Sequence, residues 1–161
     1  RGLARFIGYS GDGAAARYAV ECGRFDTLQT SVSIADQEAI ESTLPMAIAR
    51  QMGVIAKRPL ANVAWRYEKK PSEPYYQTYW SRLKTLDFPF LKAAPAAAAG
   101  TALRFTLSVP GVHTAIVGTS RPERWPENAA LLRAGELPTL EFEQIRARWR
   151  EVADGSWDGQ V

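Results

Sequence analysis

Four short apolar runs, each followed by a stretch with helical periodicity, constrain this chain more than any other feature. The runs are ARFIGYS (4–10), FDTLQTS (25–31), GVIAKRPL (53–60) and TAIVGTS (114–120). Strands alternating with helices make βαβ units, whose strands pair in parallel. The runs are continuously apolar more than alternating, as strands covered on both faces are. After the first run comes DGAAARYAVECG, where Asp12 is placed to cap a helix and Gly23 to end it. After the second comes DQEAIESTLPMAIARQMG. Pro45 suits the first turn of a helix begun at Thr43, so this connection reads as two short helices. The third run leads into a long polar and aromatic excursion, then a helix from about 94 to 108. A helix over 122–134 and an amphipathic helix from about 139 to 153 close the chain.

Parallel strands joined this way form an open doubly wound sheet or a closed barrel. The turn after the first run, GYSGDGAA, lacks the G-x-G-x-x-G of an open nucleotide-binding sheet. Four βα units are half of a (β/α)8 barrel, for which ~250 residues is typical. The chain has 161 residues and enters a strand almost directly after Arg1, with no initiator Met. A four-stranded parallel piece has two unpaired edges and an uncovered apolar face. The expected fold is therefore half of a TIM barrel, four parallel strands with flanking helices, in a chain that is a fragment or needs a partner half. The competing expectation is a complete small open α/β domain.

Composition narrows the function classes. The formal net charge is +3, with Lys and Arg scattered among acids, so nucleic acid is not an expected partner. The most apolar run, AAPAAAAGTAL, is short and broken by Pro95 and Gly100, so no membrane span is expected. The first residues lack the apolar core of a signal peptide. The single cysteine, Cys22, permits no disulfide within the chain and reads as a small buried or half-buried hydrophobe. This fits a reducing, cytoplasmic compartment.

In a barrel the active site lies at the C-terminal ends of the strands. The polar residues there are Ser10, Gln29, Lys57, Arg58 and the set at 118–121. GTSRPER, at 118–124, is the most telling. Gly118 allows close backbone approach, Thr119 and Ser120 offer hydroxyls, and Pro122 suits a first helical turn. A helix N-terminus there would point free N–H groups at an anion. Arg121 and Arg124 could each grip a phosphate with forked hydrogen bonds. The alternative is a capped helix with solvated arginines.

These segments resemble the C-terminal half of an aldo-keto reductase, a family of NAD(P)(H)-dependent oxidoreductases built on the (β/α)8 barrel. The resemblance runs from ARFIGYS through FDTLQTSVSI and GVIAKRPLAN to PGVHTAIVGTSRPERWPENAALL, nearly the whole chain. It implies that residues 1–161 form a partial NADP-dependent oxidoreductase domain without its N-terminal half. It implies NADP (NADPH) as cofactor, a small carbonyl compound as substrate, and the missing half-barrel or a second chain as partner. By the match, Thr119, Ser120 and Arg121 line the phosphate loop with Gly118. Arg124 faces the 2′-phosphate, and Glu127 and Asn128 contact the adenine. Ser10 and Gln29 hold the nicotinamide carboxamide, while Pro59, Leu60 and Ala61 run along the pyrophosphate. Two departures stand out. Ser10-Gly11 replaces the frequent Ser-Asn, and Lys57 stands where many members stack a Tyr or Trp on the nicotinamide ring.

The family's catalytic Asp, Tyr, Lys and His come from the first four strands, and their motifs are not in this chain. No catalytic residue and no metal ligand is assigned. His113 precedes the last strand and is expected to be structural or at the surface; Lys57 lies on the wrong strand to be the tetrad lysine. In the excursion, Tyr79 and Trp80 are expected to pack a helix onto the barrel. Trp65 could pack in the same way or shape a substrate pocket over the site mouth. Phe142, Ile145 and Trp149 form one apolar face of the last helix, and GSWDGQV reads as a frayed tail. The leading expectation is the cofactor-binding half of a reductase that moves a hydride reversibly between NADP(H) and an aldehyde or ketone. This chain alone would be inactive. The alternatives are a non-catalytic NADP-binding or regulatory half-barrel module, and a phosphosugar-type barrel enzyme. The last has no evident need for both Ser10 and Gln29.

Overall fold

The computed structural model describes residues 2–160. Its four strands are β1 (Gly8–Ser10), β2 (Thr27–Ser31), β3 (Gly53–Lys57) and β4 (Thr114–Ile116). They form one parallel sheet in the order β1-β2-β3-β4. Each lies inside one of the apolar runs, but only three to five residues of each run join the ladder. The connections are α1 (Gly13–Glu21), the pair α2 (Glu38–Glu41) and α3 (Thr43–Ala49), then α4 (Pro74–Leu86) and α5 (Pro95–Ser108). After β4 come α6 (Arg124–Leu131) and α7 (Thr139–Val152).

The helices cover one face of the sheet. Leu28, Val54 and Ala56 are fully buried beneath them with Ala16, Val20, Leu44, Ala102 and Phe105. The other face is open. Ser10, Thr114 and Ile116 are exposed, and Gln29, Ile55 and Lys57 are half-buried. Side chains alternate between faces along a strand, and the register aligns the open-face residues in rows. Ser10, Gln29, Ile55 and Thr114 form one row; Ser31, Lys57 and Ile116 form the next, toward the strand ends. The expectation of strands covered on both faces holds here for one face only.

Local detail corrects several expectations. Asp12 occupies the N-cap position of α1 but makes no side-chain cap bond. Its carboxylate is drawn instead to β2, where it accepts from Thr30 Oγ1 at 2.9 Å, Ser31 N at 2.6 Å and Ser31 Oγ at 3.2 Å. Gly23, just past α1, takes the left-handed φ of +65° that ends a helix. Pro122 precedes α6 rather than opening it, because the backbone first makes a turn in which Arg124 N donates to Arg121 O. His113 lies at the foot of the sheet. Its N–H donates to Val54 O, and its Nδ1 accepts from Val54 N at 3.0 Å, so the imidazole extends the β3–β4 ladder.

The tail is not frayed through residue 160. Trp157 packs against the core, edge-on to Trp149. Arg82 of α4 donates to the carbonyls of Ser156, at 3.3 Å, and Asp158, at 2.8 Å. Gly159 lies so close to Asp12 that a Cβ there would sit 2.4 Å from the carboxyl carbon. What ties the tail down is the guanidinium of Arg82, 5% exposed and paired with the buried carboxylate of Asp36. The hydroxyl of Tyr79 donates to the same carboxylate. Burial, opposed by Arg82, raises Asp36 from its ordinary 3.8 to about 6. Burial and the neighbouring Asp36 push Tyr79 up as well.

Candidate active site

A cavity of about 490 Å³ opens at the C-terminal ends of β2, β3 and β4. It gathers Gln29, Lys57, Pro59, Leu60, Gly118, Thr119 and Ser120, residues drawn from three separate stretches of the sequence. Ser10 joins through a hydrogen bond from Gln29 Nε2 to its Oγ at 3.0 Å. With that bond made, Gln29 keeps its amide oxygen as an acceptor and Ser10 keeps its hydroxyl proton as a donor. One acceptor beside one donor is the complement of a primary carboxamide.

The wall beyond β3 is strained. Arg58, Ala61, Asn62 and Val63 all have left-handed φ, between 43° and 55°. Each such residue costs about 1–2 kcal/mol, and a β-branched valine is the least suited to it. The strain is held by packing below: Ala61 and Ala64 are fully buried. Arg58, Asn62 and Val63 line the cavity, as do Tyr75 and Tyr76 from the first turn of α4. Arg58 places its guanidinium 6.0 Å from the Tyr75 ring, and its buried Nη1 has no hydrogen-bond partner. Neither the backbone conformation of Arg58 nor the approach of Tyr75 has a local sequence signal. The tyrosine pair itself was visible only as part of an aromatic excursion. Tyr79 is in the core and Trp80 donates to Tyr67 O at 2.9 Å, both packing roles. Trp65 lines a separate small hollow with Trp80 and Phe88, away from this cavity.

Lys57 is pinned. Its ammonium lies 2.8 Å from Asp12 Oδ2, with side-chain exposures of 16% and 4%. Asp12 therefore ties α1, β2 and the end of β3 together beside the cavity. The described residues that line the cavity include Lys57 and Arg58 but no carboxylate.

Of the expected site residues, Ala61, Arg121, Arg124, Glu127 and Asn128 lie outside the cavity lining. Ala61 is fully buried and offers a ligand only its backbone. A Cβ at Gly118 would meet nothing within 4 Å, so the space above that backbone is free. Thr119 Oγ1 is engaged in the turn, accepting from Arg121 N at 3.1 Å. Arg121 and Arg124 are exposed and face Glu127, at 3.9 Å and 3.3 Å. Asn128 is half-buried and lines a different hollow, of about 420 Å³, with His113 and Trp125. Among the described residues no group of three or more His, Cys, Asp or Glu is placed to hold a metal ion. No helix among them is long and apolar enough to cross a membrane. Cys22 is free and half-buried, its Sγ donating to Ala19 O at 3.2 Å.

Four parallel βα units with polar side chains gathered at the strand C-termini match half of a (β/α)8 barrel. The sequence model of the Aldo/keto reductase family matches residues 1–150, and the chain belongs to that family. Among solved structures it is similar to the aldo-keto reductase AKR11C1 from Bacillus halodurans in its holo form. The TM-score is 0.76 at 19% identity, over 97% of this chain and 54% of that one. The apo form of the same protein gives 0.76 at 20% identity, over 97% and 55%. The chain thus spans about half the length of these structures. A search of curated proteins finds no match.

Proposed function

We propose that this chain is the cofactor-binding half of an NADP(H)-dependent aldo-keto reductase acting on a small aldehyde or ketone. The observation that carries the reading is the Ser10–Gln29 pair, which opens onto the same cavity as the strained 58–63 loop and the 118–120 turn. The residues fit a dinucleotide. Ser10 and Gln29 orient a carboxamide, the backbone of Pro59 to Ala61 runs beside a pyrophosphate, and Thr119 and Ser120 offer hydroxyls to it. Arg121 and Arg124, exposed beside Glu127, turn to grip a 2′-phosphate, and Glu127 and Asn128 approach the adenine. When bound, the cofactor supplies a hydride from C4 of its reduced nicotinamide ring. This chain's residues fix the ring and leave the open sheet face toward the substrate. The proton for the carbonyl oxygen comes from the complementary four βα units, supplied by an N-terminal portion or a second chain, which also covers the open face. The lone cysteine suits a reducing, cytoplasmic compartment.

Gln29→Leu in the complete barrel tests the carboxamide assignment. Affinity for NADPH should fall about tenfold, the worth of a buried hydrogen bond and its stranded partner. Affinity for 2′-phospho-ADP-ribose, which has no nicotinamide, should not change. Equal losses for the two ligands would remove Gln29 from the nicotinamide end and sink the reading.

A further inference from the structure

Lys57 lines the cavity beside Gln29, and the proposed cofactor contacts leave its charge unused. It departs from the aromatic residue its position suggests, and it is no floppy surface lysine. Its ammonium is held by Asp12 at 2.8 Å. Asp12 in turn is locked by Thr30 and both the backbone and hydroxyl of Ser31. Lys57 pairs with Ser31 in the register, two residues beyond Gln29 on the same open face. It is thus a diagonal neighbour of the glutamine that faces the carboxamide. Lys57 lines the cavity and its partner Asp12 does not, so of the two charges the cation belongs to the residue that borders the site. Arg58 adds a second cation to the wall, and no described lining residue carries a negative charge.

A nicotinamide ring changes charge with redox state. The reduced dihydropyridine is neutral and the oxidised pyridinium carries a positive charge. A fixed cation one strand away treats the two forms differently, and burial limits the screening by water. We propose, building on the nicotinamide reading above, that Lys57 makes this cavity select by redox state, holding the reduced cofactor more tightly than the oxidised one. Asp12 moderates the effect and fixes the ammonium in place. The protein then fills with the reduced form, and the oxidised form leaves readily once the hydride has gone. That biases the cycle toward carbonyl reduction.

The test is the ratio of dissociation constants, oxidised over reduced, measured by fluorescence titration of the complete barrel with NADP+ and NADPH. Lys57→Gln removes the charge but keeps a donor for Asp12; it should lower the ratio about tenfold, the scale of one nearby unit charge. Lys57→Met should lower it at least as far, because Asp12 is then uncompensated. Lys57→Arg should leave it within about twofold, since the charge remains. Asp12→Asn should raise it, because the cation then acts unopposed. A purely structural ion pair would move the Lys57→Met and Asp12→Asn ratios together, or neither. Such a result, or an unchanged ratio in Lys57→Gln, overturns the proposal. If the unmodified protein binds neither form, the nicotinamide reading itself fails, a result distinct from these.

Discussion

Arg82→Met should be among the most damaging single changes in this chain, and its cost can be worked from the contacts it removes. Arg82 is 5% exposed and its partner Asp36 2%. Removing one member of such a pair strands the other charge, at about 3–5 kcal/mol. The carbonyls of Ser156 and Asp158 also lose their donor, but both residues are exposed, and water replaces it at little cost. The lower part of the range is expected, because Asp36 has an escape. Burial has already raised it to about 6, and losing Arg82, which holds it down, pushes it further toward the neutral acid. About 3 kcal/mol is therefore expected in urea unfolding at pH 7. The double variant Asp36→Asn, Arg82→Met strands no charge and should recover at least half of that loss. The pH dependence is an independent check. The folded value of Asp36 lies above its unfolded one, so the folded state binds the proton more tightly. Asp36 then adds stability as pH falls from about 6 toward 3.8, and that contribution is lost as pH rises through 6. At about 1.36 kcal/mol per pH unit the window is worth roughly 3 kcal/mol, and Asp36→Asn should abolish it. If the double variant were as unstable as Arg82→Met alone, the buried carboxylate would not be the burden, and the reasoning would be wrong.

Three further outcomes are expected. In the complete barrel, Arg124→Ala should weaken NADPH about 5- to 60-fold and NADH little: the charge-assisted bond is worth about 1.5–3 kcal/mol, less the roughly 0.5 kcal/mol of the exposed pair with Glu127. Equal losses for the two cofactors in a fluorescence titration would make Arg124 a solvated helix residue. The isolated 161-residue chain should self-associate in sedimentation and reduce no aldehyde with NADPH, because β1 and β4 have free edges and no proton donor is assigned; a monodisperse or active sample would count against the half-barrel reading. His113→Ala should cost about 1–2 kcal/mol in a thermal melt, since Val54 N loses its acceptor. An unchanged melt would show that water substitutes there.

The parts of this fold that were legible in the sequence are those set by near neighbours. Each strand fell within a continuous apolar run, and Pro45 and Gly23 marked helix boundaries through their fixed or permissive φ. The illegible parts are those where a side chain has more than one possible employer. Asp12 precedes a helix, so capping is the local expectation. Thr30, Ser31 and Lys57 win over the helix because together they bring four donors to the same carboxylate. Nothing near Val63 announces a left-handed backbone, which packing imposes against its propensity. Among the site residues, Gln29, Lys57 and the 118–120 turn could be placed together, because strand ends in a parallel sheet converge. Arg58 belongs with them on the same ground, but Tyr75 and its approach to Arg58 could not be placed, because they depend on the path of a loop.

The tail shows the same logic at longer range, and it connects the two buried ion pairs. Trp157 and Asp158 look like a polar, glycine-rich end with nothing to hold it. They are held because Arg82, more than 70 residues earlier, is already buried to serve Asp36 and has donors left over. A guanidinium has five N–H groups, and one carboxylate does not use them all. Once Arg82 has drawn the carbonyls of Ser156 and Asp158 in, Gly159 must pass against Asp12, where no side chain would fit. Asp12 then has the tail on one side and Lys57 on the other. The placement of Lys57 beside the cavity thus depends on a carboxylate against which the tail packs. The side chains that hold the tail and those that shape the site form one contiguous set.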